Sequence, residues 1–309
     1  MRAPSRAALV GSALAVIGSF LLRWPSRPAG RLPRWVPWAG VVLGTSVAAN
    51  EVSGKPVPFL RWSVLRLALG SRHLAEHWQV GDGREQALAD YVLAGARPGD
   101  VDDAIRVIDE FCYRRSLMIN VGDEKGAILD RIVQQVQPQC VLELGTYCGY
   151  SALRIVRMLP PQARLVSVEF SPANADIARR LLQHAGVADR VTVVVGTLGD
   201  GGRTVQRLRT ELLLGAGSVD LVFLDHDKDA YVPDLERILG QGWLRDGSVV
   251  VADNVRFPGA PAYWAYLRAR EGSGWRTVEH HTHAEYQSVF RDVMLESSYQ
   301  VSGTGPVGL

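Results

Sequence analysis

The chain has 309 residues, 47% of them hydrophobic, and a formal net charge of +2. This length allows one large α/β domain with an appendage. Residues 1–70 hold nine basic side chains and one acid, so of the total +2 they carry +8 and residues 71–309 carry −6. The larger part is therefore mildly acidic and shows no charge signature of a nucleic-acid partner. The basic N-terminus suits an anionic membrane surface.

Two uncharged stretches of sixteen residues occupy the N-terminus, residues 7–22 and residues 35–50. Each is shorter than the ~20 residues that span a bilayer, although Trp24 can extend the first as an interfacial anchor. Three interpretations are open: a signal anchor with a second span or an interfacial segment, a cleaved signal peptide, or a buried hairpin. We expect the first, with a membrane anchor over residues 1–55 and a juxtamembrane helix and linker over residues 56–80.

The topology depends on how many of these segments cross the membrane. If only the first crosses, two arginines precede it and four follow it, which places the C-terminal domain in the cytosol. If both cross, that domain lies on the far side. The favoured prediction is a protein anchored in the endoplasmic reticulum or plasma membrane with a cytosolic main domain. The mixed basic and apolar residues 59–78 are expected to form one helix near the membrane.

The main domain is predicted over residues 81–302, where helical and strand patterns alternate. Alternating βα units are typical of a doubly wound, mostly parallel sheet, here with seven strands and a closing hairpin. The predicted helices are residues 84–94, 101–115, 124–137, 172–185, 202–213, 232–239 and 261–270. The predicted strands are residues 140–144, 164–170, 191–196, 220–225, 248–253, 275–281 and 288–295.

The stretch VLELGTYCGYS, residues 141–151, predicts a buried strand, a glycine turn and the start of a helix. Gly145 and Gly149 let a ligand approach the backbone. Their spacing does not match the GxGxxG of a dinucleotide site. Because Glu169 ends the next strand, where an acid can bind ribose hydroxyls, the pattern favours a nucleoside ligand such as S-adenosylmethionine. The alternative is an ordinary βα turn with a solvated glutamate.

Two later strands also end in acids. Asp225 follows one, and Asp253 with Asn254 follows the next. Since ligands gather at the carboxyl ends of parallel strands, these side chains could converge. Two carboxylates and an amide oxygen are ligands suited to Mg²⁺. Alternatively, one aspartate only caps the following helix.

Four ordered motifs carry a resemblance to a known family. They are MINVGDEKG, VLELGTYCGYS, LDHDKDAY and ADNVRFPG, which begin at residues 118, 141, 224 and 252. Over residues 81–300 the chain resembles the catechol O-methyltransferase family. That resemblance implies a Rossmann-like, class I S-adenosylmethionine-dependent methyltransferase fold. The N-terminal 80 residues are similar in character to the anchored forms of that enzyme and to transmembrane O-methyltransferases.

The resemblance also implies site roles. It assigns Mg²⁺ to Asp225, Asp253 and Asn254, the general base to Lys228, and the second catechol hydroxyl to Glu285. A nearby cation favours the neutral lysine that a base requires. The implied substrate-binding residues are Lys228, Asn254, Glu285, Pro258, Leu117 and Asp227. The implied cofactor-binding residues are Val121, Glu143, Gly145, Tyr147, Ser151, Glu169, Phe170, Leu198, Asp225 and His226, of which His226 could equally be a packed histidine.

The chain departs from the family pattern at the substrate walls. Leu117 and Asp227 replace tryptophans, and Ile119 replaces a methionine beside the methyl group, whereas Pro258 is retained. The family's Ser-Gln pair near the adenine is Leu198-Gly199 here. We therefore expect weak binding of simple catechols, reduced preference between the two hydroxyls, and discrimination against catechol carboxylic acids.

Two functions follow from these patterns. The first is a membrane-anchored, Mg²⁺-dependent catechol O-methyltransferase acting on a catechol-type small molecule. The second is an adaptor that keeps the fold for partner binding, since the resemblance includes a transmembrane branch linked to ion-channel trafficking; a protein partner is thus left open. The joint presence of Asp225, Lys228, Asp253 and Asn254 favours the enzyme.

Overall fold

The computed structural model describes residues 36–53, 60–77 and 79–301. The chain forms two compact units, residues 1–69 and residues 70–309. In the first unit, helix α1 is Val36–Val52 and helix α2 is Trp62–Leu69. The backbone N–H of Trp62 donates to Glu51 Oε1 at 2.8 Å, which ties the start of α2 to the end of α1.

The anchor prediction is only partly covered by the described residues. The stretch 7–22 lies outside them, whereas residues 36–50 of the second stretch lie in α1, which continues to Val52. α1 has 17 residues, and none of the helices described is both long enough and apolar enough to cross a membrane. The expected single helix over residues 59–78 is wrong: α2 ends at Leu69 and helix α3, Ser71–His77, follows after Gly70. Glycine is a poor helix former, which is consistent with a break at that position.

The second unit contains α3 and the remaining elements. Its further helices are α4 Arg84–Gly95, α5 Val101–Arg114, α6 Gly122–Val136, α7 Tyr150–Met158, α8 Pro172–His184, α9 Arg203–Thr210, α10 Tyr231–Gly240 and α11 Pro261–Arg268. Its strands are β1 Cys140–Leu144, β2 Arg164–Glu169, β3 Val191–Val195, β4 Val219–Leu224, β5 Leu244–Ala252, β6 Trp275–His283 and β7 Arg291–Tyr299. A 3₁₀ turn at Lys228–Ala230 precedes α10.

The seven strands form one sheet in the order β3-β2-β1-β4-β5-β7-β6. All neighbours among the first five are parallel, and β7 runs antiparallel to both β5 and β6. Alternate strand residues pack on opposite faces of the sheet. Val141 lies in the core that includes helices α4–α8, and Leu142 lies in the core that includes helices α9–α11. The predicted doubly wound, mostly parallel seven-stranded sheet is confirmed.

The last strand begins later than predicted, at Arg291 and not at residue 288. The cause is the Gln287 side chain. Its amide oxygen accepts from the backbone N–H groups of Val289 and Phe290 at 2.6 and 2.7 Å, and its amide nitrogen donates to Ala284 O at 2.8 Å. These bonds occupy the backbone N–H groups of Val289 and Phe290, so neither N–H is available to the strand ladder. Phe290 O still accepts from Ala284 N at 2.9 Å.

Candidate active site

The two predicted acidic strand ends are neighbours in the sheet. Leu224 of β4 and Ala252 of β5 are register partners, and Asp225 and Asp253 are the next residues of each strand. The ladder continues one step further, because Asp253 N donates to Leu224 O at 2.9 Å. Parallel register therefore places both aspartates at the carboxyl edge of the sheet, where α/β proteins bind ligands.

Gly145 fixes how closely β1 approaches this edge. Its φ is +101°, and a Cβ at this position would lie 2.1 Å from the carbonyl oxygen of Asp225. Any larger residue would collide with backbone that cannot move independently. Asp225 N also donates to Leu144 O at 2.9 Å. The glycine turn thus brings the end of β1 directly against the Asp225 backbone.

Asp253 is fully buried and surrounded by other charges. Burial raises the pKa of its carboxyl to about 7, although the ammonium of Lys125 opposes the rise. Its Oδ1 accepts from Asn254 N at 2.7 Å. Its Oδ2 lies 2.8 Å from Lys125 Nζ, yet no donor is aligned with it. A buried carboxylate oxygen without a hydrogen bond is costly, and it is available to a further positive partner.

Lys125 is the cation at the centre of this cluster. Its side chain is fully buried, and its Nζ lies 2.5 Å from Glu285 Oε1 and 3.2 Å from Asp292 Oδ2 as well as near Asp253. Burial alone would lower the pKa of Lys125, but these carboxylates raise it well above its ordinary value. Lys125 is therefore charged and partly neutralises the acids beneath the sheet edge.

Asn254 has a left-handed backbone conformation, with φ of +54°. Its Nδ2 donates to Glu285 Oε1 at 2.9 Å and to Asp292 Oδ2 at 3.0 Å. Because carboxylates only accept hydrogen bonds, the amide nitrogen must face them. The amide oxygen is consequently directed away from both acids.

Lys228 follows β4 on the 3₁₀ turn. Its Nζ donates to Asp225 Oδ1 at 3.1 Å and to the hydroxyl oxygen of Tyr231 at 2.7 Å. The buried Tyr231 hydroxyl lies 2.8 Å from Leu224 O and 3.1 Å from Asp253 O. Tyr231 thus connects the lysine to the ends of both strands and limits where its amine can lie.

The ligand set predicted for Mg²⁺ is brought together at this edge. No group of three His, Cys, Asp or Glu side chains with metal-binding geometry occurs within residues 36–53, 60–77 and 79–301. The predicted set has only two carboxylates, and its third member is an amide. Hard oxygen donors fit a cation such as Mg²⁺ that keeps water ligands. Asp253 Oδ2 lies near Lys125 Nζ but accepts no aligned hydrogen bond, so it can face a further cation.

At the end of β1, Glu143 is buried with hydroxyl partners. Ser167 Oγ donates to its Oε2, and Thr146 Oγ1 lies 2.5 Å from Ser167 Oγ. Burial raises the pKa of Glu143 to about 7, while hydrogen bonds from Ser151 and Ser167 oppose that rise. Its Oε1 is buried without a partner. This oxygen is therefore an acceptor that an amino group of a ligand could use.

Glu169, at the end of β2, is held by backbone donors. Its Oε2 accepts from Tyr147 N at 2.7 Å and its Oε1 from Ser171 N at 2.8 Å. Burial raises the pKa of Glu169, and hydrogen bonds from the backbones of Ser171, Tyr147 and Thr146 and from the Asn174 side chain oppose that rise. A carboxylate has about four acceptor positions, so ribose hydroxyls would share or replace some of these hydrogen bonds.

The other predicted cofactor residues have varied environments. The Tyr147 hydroxyl donates to Glu85 Oε1 at 2.9 Å, which fixes its ring against α4. His226 pairs with Asp234 through Nε2 at 2.9 Å, while its Nδ1 is buried without a partner. Its ring also stacks on Tyr231, with centroids 5.0 Å apart. Val121, Ser151 and Leu198 are buried, whereas Phe170 is exposed.

The predicted substrate walls are only partly assembled. Leu117 packs against the larger core, and its carbonyl accepts from Arg84 Nη1 at 2.5 Å. Asp227 is exposed, and its Oδ1 caps the 3₁₀ turn by accepting from Asp229 N at 3.1 Å. The rim beside Pro258 instead carries an aromatic pair, Phe257 and Phe290, stacked with centroids 5.4 Å apart. These rings are 46% and 44% exposed.

Sequence reasoning missed Lys125, Asp292 and the aromatic pair. A signal for Lys125 exists in α6, where it shares the buried face with Ile128, Leu129 and Ile132. A lysine on an apolar stripe requires an acidic partner. Asp292 gives a weaker signal, because an aspartate near the start of a strand is common. Phe257 and Phe290 meet only through the loop that precedes β7.

Comparison with known proteins gives the family. Residues 102–263 match the model of the O-methyltransferase family. A probable O-methyltransferase of Mycobacterium tuberculosis is 57% identical over 233 residues, covering 75% of this chain and 99% of the relative. Catechol O-methyltransferase B of Danio rerio is 45% identical, with coverage of 66% and 74%. The transmembrane O-methyltransferase of Homo sapiens is 37% identical, with coverage of 71% and 73%.

A solved structure shows the same architecture. The O-methyltransferase from Bacillus cereus in complex with SAH has a TM-score of 0.52 at 24% identity, covering 69% of this chain and 97% of that one. This likeness supports the Rossmann-like methyltransferase fold, with a seven-stranded mixed sheet. Family match, identity and fold agree, and this chain belongs to the O-methyltransferase family.

Proposed function

We propose that this protein transfers the methyl group of S-adenosylmethionine to one hydroxyl of a catechol, with Mg²⁺ bound and Lys228 as general base. The single observation that carries the proposal is the meeting of Asp225, Asp253, Asn254 and Lys228 at two adjoining strand ends. The relatives named catechol O-methyltransferase support the choice of substrate.

The cofactor would occupy the ends of β1 and β2. S-adenosylmethionine supplies the electrophilic methyl group, and the ribose of its nucleoside can hydrogen-bond to the acid at the end of β2. Glu169 would accept from the ribose hydroxyls. The unpartnered Oε1 of Glu143 would accept from the methionine ammonium, and Gly145 leaves the turn without a side chain that could block the approach.

The metal would be held by Asp225, Asp253 and the amide oxygen of Asn254. Mg²⁺ supplies positive charge that favours an ionised hydroxyl on the substrate. Lys228 would accept the proton of the reacting hydroxyl, and its contact with the Tyr231 hydroxyl limits where the amine can lie. Glu285, which is one-fifth exposed, would accept from the second hydroxyl. Holding the ring in line with the methyl group then contributes most to the rate.

The substrate is expected to bind between Leu117 and Pro258. The exposed Asp227 adds negative charge on the Lys228 side and should disfavour catechols that carry a carboxylate. The rings of Phe257 and Phe290 lie beside Pro258 and offer an apolar surface to a ring substituent.

The direct test uses the purified full-length protein with S-adenosylmethionine, Mg²⁺ and a set of catechols, including dopamine and a dihydroxybenzoate. We expect formation of methylated catechol. This activity should be lost in EDTA and restored by excess Mg²⁺. Dopamine should be preferred to the acid. Binding of S-adenosylmethionine without methyl transfer to any catechol would refute the proposed substrate, and it would favour the adaptor role.

We also propose attachment to a membrane through residues 1–55, with the catalytic domain cytosolic. The basic charge of residues 1–70 and the apolar α1 support this, as does the similarity to a transmembrane relative. Full-length protein should remain with membranes through alkaline carbonate washing. Release of uncleaved protein into the wash would contradict a spanning anchor.

A further inference from the structure

Asp292, near the start of β7, is a buried acceptor at which several parts of the candidate site meet. Its Oδ2 accepts from Asn254 Nδ2 at 3.0 Å and from Lys125 Nζ at 3.2 Å. Its Oδ1 accepts from the backbone N–H groups of Arg256 at 3.2 Å and Phe257 at 2.9 Å. Its side chain is fully buried.

These bonds fix the segment that follows β5. This segment carries Asn254 in a left-handed conformation and then Pro258, and its backbone is tied to Asp292 through Arg256 and Phe257. The carboxylate therefore sets both where the segment lies and how the Asn254 amide is turned. Glu285 accepts from the same amide nitrogen but is partly exposed, so Asp292 is the better fixed of the two partners.

We propose that Asp292 is a positioning residue that orients the Asn254 amide so that its oxygen is presented to a divalent cation. Asp292 needs to be a carboxylate for this. Its five hydrogen bonds come from Lys125, Asn254, Arg256, Phe257 and the backbone N–H of the adjacent Val293. All five partners are donors, and an ionised carboxylate is the side chain that only accepts. An amide at this position would turn donor hydrogens toward one pair of these groups, either the Lys125 and Asn254 side chains or the backbone N–H groups. The proposal rests on the metal role proposed for Asn254.

The test compares Asp292→Asn with a matched control, Asp220→Asn. Asp220 is also a buried carboxylate that accepts several donors: Gln139 N at 2.7 Å, Cys140 N at 3.1 Å and the Arg245 guanidinium. It lies at the start of β4, at the opposite end of the strand from Asp225. Both variants lose a buried hydrogen-bonding network, but only Asp292→Asn affects the amide of Asn254.

The first measurement is NMR of the Asn254 side-chain NH₂ in the full-length protein without metal, assigned with Asn254→Asp. We expect slow hydrogen exchange in the wild type and in Asp220→Asn, and fast exchange in Asp292→Asn. The second is Mn²⁺ binding by electron paramagnetic resonance, with competition by Mg²⁺. Loss of a partner that orients a metal ligand typically costs roughly 10–100-fold in metal affinity, and we expect that loss only for Asp292→Asn.

The outcomes separate this inference from the proposed function. Equal protection of the Asn254 amide in Asp292→Asn and the wild type overturns the inference, whatever the metal result. Equal metal affinity in Asp292→Asn and Asp220→Asn also overturns it. Slow exchange in the wild type that is lost in Asp292→Asn, with no metal bound by either protein, would instead refute the metal role in the proposed function and leave the hydrogen-bonding role of Asp292 established.

Discussion

The two halves of the strand edge bury their carboxylates in different ways. At the ends of β4 and β5, the acids face two ammonium groups, those of Lys125 and Lys228. At the end of β1, Glu143 has hydroxyl partners and a pKa of about 7. The first half offsets part of its buried charge with internal cations, although burial also raises the pKa of Asp253 to about 7. The comparison teaches that one edge of the sheet holds acids in two environments: in the proposed function, the first would hold the metal ion and the second would accept the ammonium of the cofactor.

The largest expected effect concerns Lys228 in the first half. Lys228→Ala should lower kcat by about 10²–10⁴-fold, because a positioned general base typically contributes that much. The dissociation constant of S-adenosylmethionine should change little. Steady-state kinetics and calorimetry measure the two quantities.

Lys228→Arg is the sharper control for that prediction. Arginine keeps the positive charge but does not give up its proton in proteins, so this variant should be as slow as Lys228→Ala. Substantial turnover by Lys228→Arg would show that the residue acts by charge alone and not as a base.

The internal cation of the first half is tested by Lys125→Met. Removal of one partner from a buried ion pair leaves unpaired charge and costs about 3–5 kcal/mol. Urea unfolding should show this loss in the free energy of unfolding without metal. Added Mg²⁺ should then raise the melting temperature of Lys125→Met more than that of the wild type, because it restores positive charge. A variant as stable as the wild type would mean that Lys125 does not neutralise the cluster.

The raised pKa of Glu143 predicts a pH effect of the opposite sign from that of an acid whose pKa is lowered by an ion pair. The pKa of Glu143 is raised in the fold from 4.5 to about 7, so its contribution is fully present below pH 4.5 and is lost as pH rises through 7. Relative to the wild type, Glu143→Gln should therefore gain about 3 kcal/mol of stability between pH 4.5 and pH 8.

Urea unfolding of both proteins at several pH values, without cofactor, measures that difference. Glu236→Gln on the exposed face of α10 is the control for removal of a carboxylate. A constant stability difference between Glu143→Gln and the wild type over this pH range would show that Glu143 is ionised throughout.

The smallest expected effect lies at the rim of the first half. Phe290→Ala removes one ring of the stacked pair, and aromatic contacts contribute about 0.5–1.5 kcal/mol beyond the buried area. The KM for a catechol with an aromatic substituent should rise by roughly 2–10-fold, while the KM for unsubstituted catechol stays the same. Val278→Ala, at an exposed position on β6, is the control. Equal KM values in Phe290→Ala and the wild type would place the substituent elsewhere.

Much of the fold could be predicted from sequence, because hydrophobic runs and glycine turns are local signals. The ends of β4 and β5 could be predicted for the same reason, since Asp225 and Asp253 directly follow apolar runs. The partners Lys125 and Asp292 could not, because 167 residues separate them and only the completed sheet brings them together. The exposed position of Asp227 depends on the 3₁₀ turn that it caps. The replacement of a family tryptophan by Asp227 does not reveal that turn.

The Mg²⁺ dependence of methyl transfer by Asp253→Asn, measured beside the wild type, tests the central claim most directly. Asp253 is buried, has an oxygen that accepts no aligned hydrogen bond, and follows the strand that pairs with β4. Loss of one of two carboxylate ligands should leave a site that binds Mg²⁺ weakly. We predict that the wild type saturates with Mg²⁺ and that Asp253→Asn shows little or no turnover at the same concentrations. Full turnover of Asp253→Asn in EDTA would contradict the proposed metal site.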